Sequence, residues 1–179
     1  MNTTCRDPLG GYYQLLAAAL VAHPDELAIK QYQSTRAICL TVSSNPDDHG
    51  RLIGSHGRMV KACETLLRES ALVEGRDVRL TVDSLDDARR SFSKFEHKKG
   101  WGANDNAELT ELLYDVATTL YHGDLVIDSR NISRLATAFT LRRKPHREDL
   151  RETELGVALS VWFESVGRNR GRVVYLDIV

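Results

Sequence analysis

Gly54 and Gly57 stand in the run Arg51-Leu52-Ile53-Gly54-Ser55-His56-Gly57-Arg58-Met59-Val60-Lys61, and the chemistry this run supports is the holding of a phosphate. Glycine inside a helix costs roughly 1 kcal/mol against alanine. Two glycines so close therefore break a helical pattern and leave bare backbone. The second glycine opens a new helix, whose first N–H groups have no internal partner and lie at the positive end of its dipole. A phosphate can approach there without meeting a side chain. Arg58 and Lys61 flank the spot with positive charge, and Arg51 adds more from the preceding helix. Ser55 can donate a hydrogen bond, and His56 can stack or, when protonated, carry charge. The same four residues also describe a plain helix-turn-helix corner. The surrounding chain has to separate the two readings.

Tyr12 to Ala22 reads as a helix with Tyr12, Leu15, Leu16, Ala19 and Leu20 on one face, preceded by an irregular lead-in and ended by His23-Pro24-Asp25. Leu27–Tyr32 reads as a strand. Ile38, Leu40 and Val42 alternate as in a half-buried strand. Asn45-Pro46-Asp47-Asp48 has the N-cap residue, proline and early acids of a helix start, and that short helix runs to Ile53. After the glycine break a longer helix is expected from Arg58 to about Val73. Gly75 closes it, and Val78, Leu80 and Val82 alternate in a third strand.

This order, with Ile53-Gly54-Ser55-His56-Gly57-Arg58, His23-Pro24, Pro46-Asp47-Asp48 and Glu74-Gly75-Arg76, resembles a type II (prokaryotic) KH domain. It is most similar to the small stand-alone KH proteins of bacteria, and the resemblance covers about 70 residues, a small domain. It implies an RNA-binding surface at Arg51, Ile53, Gly54, Ser55, His56, Gly57, Arg58 and Lys61, the loop holding the backbone of about four unpaired nucleotides. Bases would lie on an apolar groove. Ile53, next to the loop, is the residue expected to line it; Leu52, Met59, Ile38, Leu40 and Val42 are groove or core. The family usually places a Lys or Arg between the glycines, where this chain has Ser55 and His56. Binding is expected to be weaker, or more dependent on pH, than the family norm.

Residues 84–104 read as a linker with five Lys/Arg against three Asp/Glu, interleaved with Phe92, Phe95 and Trp101. Arg89, Arg90, Phe92, Lys94, Lys98, Lys99 and Trp101 form a possible second RNA contact, charge for phosphate and rings for stacking. The reading placed ahead of this one is that the aromatics dock the linker on a domain while the charges stay in water. Residues 105–179 repeat the element order: a helix over Ala107–Tyr121, strands at Leu125–Ile127 and Leu135–Leu141, a helix over Asp149–Val166 and a strand over Val173–Val179. Gly75, Arg76, Val78, Leu80 and Val82 superpose without a gap on Gly171, Arg172, Val174, Leu176 and Ile178, and Leu66-Leu67 on Trp162-Phe163. At that offset the two glycines fall on Leu150-Arg151-Glu152-Thr153, where Glu152 repels phosphate. The second half is expected to be a degenerate KH-like domain without the loop, or another α+β domain of the same order. Arg142-Arg143-Lys144-Pro145-His146-Arg147 precedes the altered corner and could touch RNA, but reads first as a solvated loop.

The expected fold class is thus α+β: tandem type II KH-like domains, each a three-stranded sheet with helices on one face. Their bounds are 1–83, with the loop at 54–57, and 105–179, joined by 84–104. Net charge is −1, so no global basic field draws in nucleic acid. Cys5, Cys39 and Cys63 lack metal-ligand spacing, and Cys39 and Cys63 read as small buried hydrophobes. The six histidines sit in no nucleophile context, and no Gly-Lys-Ser/Thr follows Gly54. No enzyme activity, cofactor or metal is expected, and no leader or membrane span, which implies the cytoplasm. The expected function is RNA binding without catalysis, as the family's roles in RNA chaperoning or post-transcriptional control imply. A protein partner or a homodimer is possible. The alternative is a protein-interaction or dimerisation module, with Trp162 and Phe163 as its anchors rather than as core.

Overall fold

The computed structural model describes residues 8–70, 76–83, 105–121, 124–132, 136–144 and 154–178. Helix α1 spans Pro8–Ala18, earlier than the Tyr12 start that periodicity suggests. Proline is well suited to begin it, because its missing N–H is one of the four that a helix leaves unpaired. Strands β1 (Ala28–Gln33) and β2 (Ala37–Ser43) follow, then α2 (Pro46–Ile53), α3 (Arg58–Glu69) and β3 (Asp77–Asp83). The second half has α4 (Asp105–Leu120), β4 (Asp124–Asn131), β5 (Ala136–Lys144), α5 (Glu154–Asn169) and β6 (Val173–Ile178). The expected corner in the second half, 145–153, lies outside the described residues, as does the linker 84–104. Arg142, Arg143 and Lys144 belong to β5 rather than to a loop.

Each half builds one three-stranded sheet, ordered β1-β2-β3 and β4-β5-β6. In both, the first two strands are antiparallel and the last two parallel. The expected α+β class with two three-stranded sheets is what the chain adopts. Ile38, Leu40 and Val42 point into the core from β2, opposite Val78, Leu80 and Val82 of β3. Strand alternation then turns Cys39 outward, and it is exposed, contrary to the buried position expected of it. Cys63 on α3 is buried, and loss of water pushes its thiol up to about 12. The open edge of β3 is covered at one point, where the Leu80 N–H donates to Glu64 Oε1 of α3 at 2.9 Å.

The halves are not beads on a string. Helices α1 and α3 cover one face of the first sheet, α4 and α5 one face of the second, and α3 packs along α5. The layers run sheet, helices, helices, sheet, around one continuous apolar core. Among the described residues, hydrogen bonds cross between the halves. Tyr12 Oη donates to the Val116 carbonyl at 3.3 Å, Trp162 Nε1 to that of Leu16 at 3.1 Å, and Asn169 Nδ2 to that of Leu20 at 2.8 Å. Burial, and then the charges of Cys63 and Tyr121, raise the Tyr12 phenol far above its usual range, so it stays a neutral donor. Trp162 and Phe163 are both fully buried. Phe163 meets Phe139 edge-on at 5.1 Å within the second half, whereas Trp162 reaches across to α1. Among the described residues no helix is long and apolar enough to cross a membrane.

Candidate nucleic-acid interface

The loop between α2 and α3 is positioned by a buried carboxylate. Asn45 caps α2 by accepting from the Asp47 N–H at 3.0 Å, and its amide donates to Glu26 Oε2 at 3.0 Å. One residue further on, Asp48 is fully buried. Its Oδ1 accepts from the Ala22 N–H at 2.9 Å and from Arg51 Nη1 at 3.1 Å. Its Oδ2 accepts from the His23 N–H and pairs with His23 Nδ1, both at 3.0 Å. The residues read only as an acidic helix start therefore bolt α2 to the chain leaving α1. Burial by itself pushes the Asp48 pKa up; the bonds from Ala22 and His23 and the Arg51 charge outweigh it, and the carboxyl sits below its usual range. A depressed folded pKa means the stabilisation is complete above the ordinary value of 3.8 and is lost as pH falls through the lower folded value. Asp48→Asn should cost about 2 kcal/mol at neutral pH. Urea melts between pH 7 and 3 should show the gap between variant and wild type closing only at the acid end.

Helix α2 ends at Gly54, whose N–H donates to the Gly50 carbonyl at 2.9 Å. Gly54 has φ 72° and ψ 172°, a region that essentially only glycine occupies. A Cβ there would lie 2.8 Å from Met59 Cβ and 2.9 Å from the Met59 backbone nitrogen. The turn is thus folded hard against the first turn of α3. Ser55–Gly57 form a 3-10 turn with His56 left-handed at φ 54°, and Gly57 follows at φ 74°, ψ 12° as the N-cap of α3. Next to Gly57 an added Cβ would meet nothing within 4 Å, so backbone conformation rather than space selects glycine there. No side chain caps α3 and its first turn holds no acid, which leaves the N-terminal field positive.

Around this turn Ser55, His56, Arg58 and Lys61 are exposed, and Gly54 and Gly57 half-buried. Arg51 is half-buried and its guanidinium is shared with Asp48, so it reaches the loop's field partly neutralised. Of the apolar residues weighed for a groove, Ile53 is open at 40% while Leu52 and Met59 are buried at 2% and 3%. Ile38, Leu40 and Val42 are core. Arg89, Arg90, Phe92, Lys94, Lys98, Lys99 and Trp101 lie outside the described residues. Asp48 and His23 are the positioning residues that sequence reasoning missed; the pairing of His23-Pro24 with Asp47-Asp48 was the available signal.

A family model described as "KhpA/KhpB, KH domain" matches residues 14–82. The RNA-binding protein KhpA of Leifsonia xyli subsp. xyli is 46% identical over 68 residues, which are 38% of this chain and 84% of that protein. The chain belongs to the KhpA/KhpB KH-domain family. The RNA-binding protein KhpA of Halalkalibacterium halodurans is 34% identical over 67 residues, 37% of this chain and 88% of that protein. That of Caldanaerobacter subterraneus subsp. tengcongensis is 31% identical over 74 residues, 41% and 99% respectively. The KhpA/KhpB domain thus takes in the last five residues of α1, the Asp48 anchor, the glycine turn and β3 up to Val82. Helices α4 and α5 and the second sheet lie beyond the matched residues.

Proposed function

We propose that this chain is a non-catalytic RNA-binding protein that holds the backbone of unpaired RNA at Gly54–Gly57. The observation that carries the reading is the exposed, uncapped turn at the start of α3, with Arg58 and Lys61 beside it and no acid in the first turn. The KhpA relatives, named RNA-binding proteins, support it. In this reading residues 1–83 are the KH unit and 84–104 the linker. Residues 105–179 are a KH-like unit without the loop, which serves the first as scaffold. Ser55 and the first N–H groups of α3 meet phosphate, Arg58 and Lys61 hold the field, and Ile53 supports a base. A cytoplasmic role in RNA chaperoning or post-transcriptional control fits such binding.

The test is a titration of fluorescent single-stranded RNA with wild type and Ser55→Asp/His56→Asp, at several salt concentrations. Both side chains are exposed, and aspartate tolerates the left-handed position of His56 better than most residues, so circular dichroism should be unchanged. Affinity should drop at least about 10-fold from the two added charges. In wild type about two phosphate contacts should give a salt slope near −1.4 in log–log form. Equal binding by the folded variant would move the RNA site away from the loop.

A further inference from the structure

Strand β3 is the end strand of its sheet, and α2 and α3 both pack beside it. One side chain bridges that corner. Glu64 of α3 accepts the Leu80 N–H on Oε1 at 2.9 Å. That N–H points away from β2, and the two-residue repeat of the strand turns the backbone groups of Val82 the same way. Glu64 is half-buried. Among the described residues its second oxygen has neither a hydrogen bond nor an ion pair. The cations one turn to either side, Lys61 and Arg68, are exposed and make no ion pair with it among those residues. The backbone thus pins a carboxylate by one oxygen and leaves the other open at the strand edge.

Glu64 lies on the stripe of α3 that begins at the glycine turn. Positions three and four apart on a helix are neighbours, so Gly57, Lys61, Glu64 and Arg68 follow one another along one face. Glu64 stands two turns beyond Gly57, about 10 Å along the axis, within reach of a base whose backbone is held at the turn. A carboxylate repels phosphate, so on this stripe it opposes backbone binding unless it meets a donor on the base. The second half shows that the fold does not require it. The offset that sets Leu80 on Leu176 sets Glu64 on Ser160, and β6 is likewise the end strand of its sheet. Lys61 and Arg68 fall on Val157 and Glu164. The half with the two glycines has the carboxylate, and the half without them has a serine. The carboxylate goes with the glycine turn rather than with the strand edge.

We propose that Glu64 selects the base of the bound RNA: Oε2 accepts an exocyclic amino group, so cytosine and adenine are taken and uracil is turned away. The proposal rests on the reading that Gly54–Gly57 hold the RNA backbone. Carboxylates read the N4 amino group of cytosine in this manner, and adenine offers its N6 amino group. Uracil presents a carbonyl oxygen at the same place. Two acceptors then face each other with no proton between them, and both lose water without gaining a bond. Because the Leu80 N–H already fixes the carboxylate, little side-chain freedom is lost when a base pairs with it.

The experiment titrates the full chain, as wild type and as Glu64→Gln, with two fluorescent oligoribonucleotides of about eight nucleotides, one all cytidine and one all uridine. That is twice the length such a loop clamps, and the phosphate charge is equal in the two. Wild type should bind the cytidine oligomer about 10-fold more tightly. Glutamine keeps a carbonyl oxygen for the Leu80 N–H, so circular dichroism and thermal midpoint should hold, but its amide also presents donors. The variant should gain affinity for uridine and bind the two oligomers within about 2-fold of each other. If wild type binds both alike, and Ser55→Asp/His56→Asp abolishes that binding, the loop reading stands and the role of Glu64 is overturned. A Glu64→Gln variant that loses affinity for both oligomers in equal proportion overturns it as well, since that is the mark of a strand-edge contact alone. If wild type binds neither oligomer, the loop reading fails and base selection fails with it.

Discussion

Trp162→Ala should destabilise the entire chain by about 4 kcal/mol, with both halves losing structure in one transition. Truncating a fully buried tryptophan removes its transfer energy and leaves a cavity, typically 3–5 kcal/mol together. Here it also leaves the Leu16 carbonyl without its donor, and an orphaned buried acceptor adds to the cost. The cavity opens between α1 and α5, elements of different halves, so neither side can collapse into it alone. Hydrogen exchange checks this: protection of β2 and of β5 should fall together in the variant. If β5 loses protection while β2 keeps it, the halves are energetically independent and the shared core is incidental. Trp162→Phe, which keeps most of the apolar volume but not the N–H, should cost much less, about 1–2 kcal/mol.

The second large effect belongs to the loop. Gly54→Ala should cost about 3 kcal/mol, and Gly57→Ala about 1 kcal/mol, although both positions have positive φ. At Gly57 the cost is only that of holding an L-residue left-handed, since space is open there. At Gly54 the conformation itself is one that side chains avoid, and the new methyl meets the Cβ and backbone nitrogen of Met59 below 3.0 Å. Met59 is the second residue of α3 and is buried, so it cannot yield without moving the helix start. Urea unfolding of the two variants side by side measures the difference. Equal losses would mean that the turn does not lie against α3. The asymmetry also explains why Ser55 and His56, rather than the glycines, are the positions at which to test binding.

Much of the fold was legible because its signals are local. Ile38, Leu40 and Val42 announced β2 by alternation, and Asn45-Pro46 announced the start of α2. Gly54 and Gly57 marked the turn because no other residue takes those dihedrals cheaply. The same alternation turns Cys39 outward, because its place between Ile38 and Leu40 outweighs the apolar character of its side chain. What stayed hidden was non-local. Asp48 looked like a residue placed for the helix dipole, whereas its partners are backbone groups at Ala22 and His23, which carry no side-chain signature. Arg51 resembles a loop cation in the sequence, but Asp48 one helix turn before it takes part of its charge. The junction between halves left a faint trace: α1 buries Leu9, Tyr12, Tyr13, Leu16 and Ala17, and the turn after it buries Leu20, too wide a stripe for one sheet face.

That junction has a consequence during synthesis of the chain. Trp162 lies 146 residues beyond Leu16, and Asn169 lies 149 beyond Leu20. At roughly 5–20 residues per second, α1 waits on the order of 7–30 s after it is made before its partner helix exists. The sheet and loop of the first half can assemble in that interval, but the side of α1 meant for α5 faces water. Native folding is thus bound to α5, which is made long after α1. A ribosome stalled before residue 154 would present a nearly complete loop on a half with its apolar flank open.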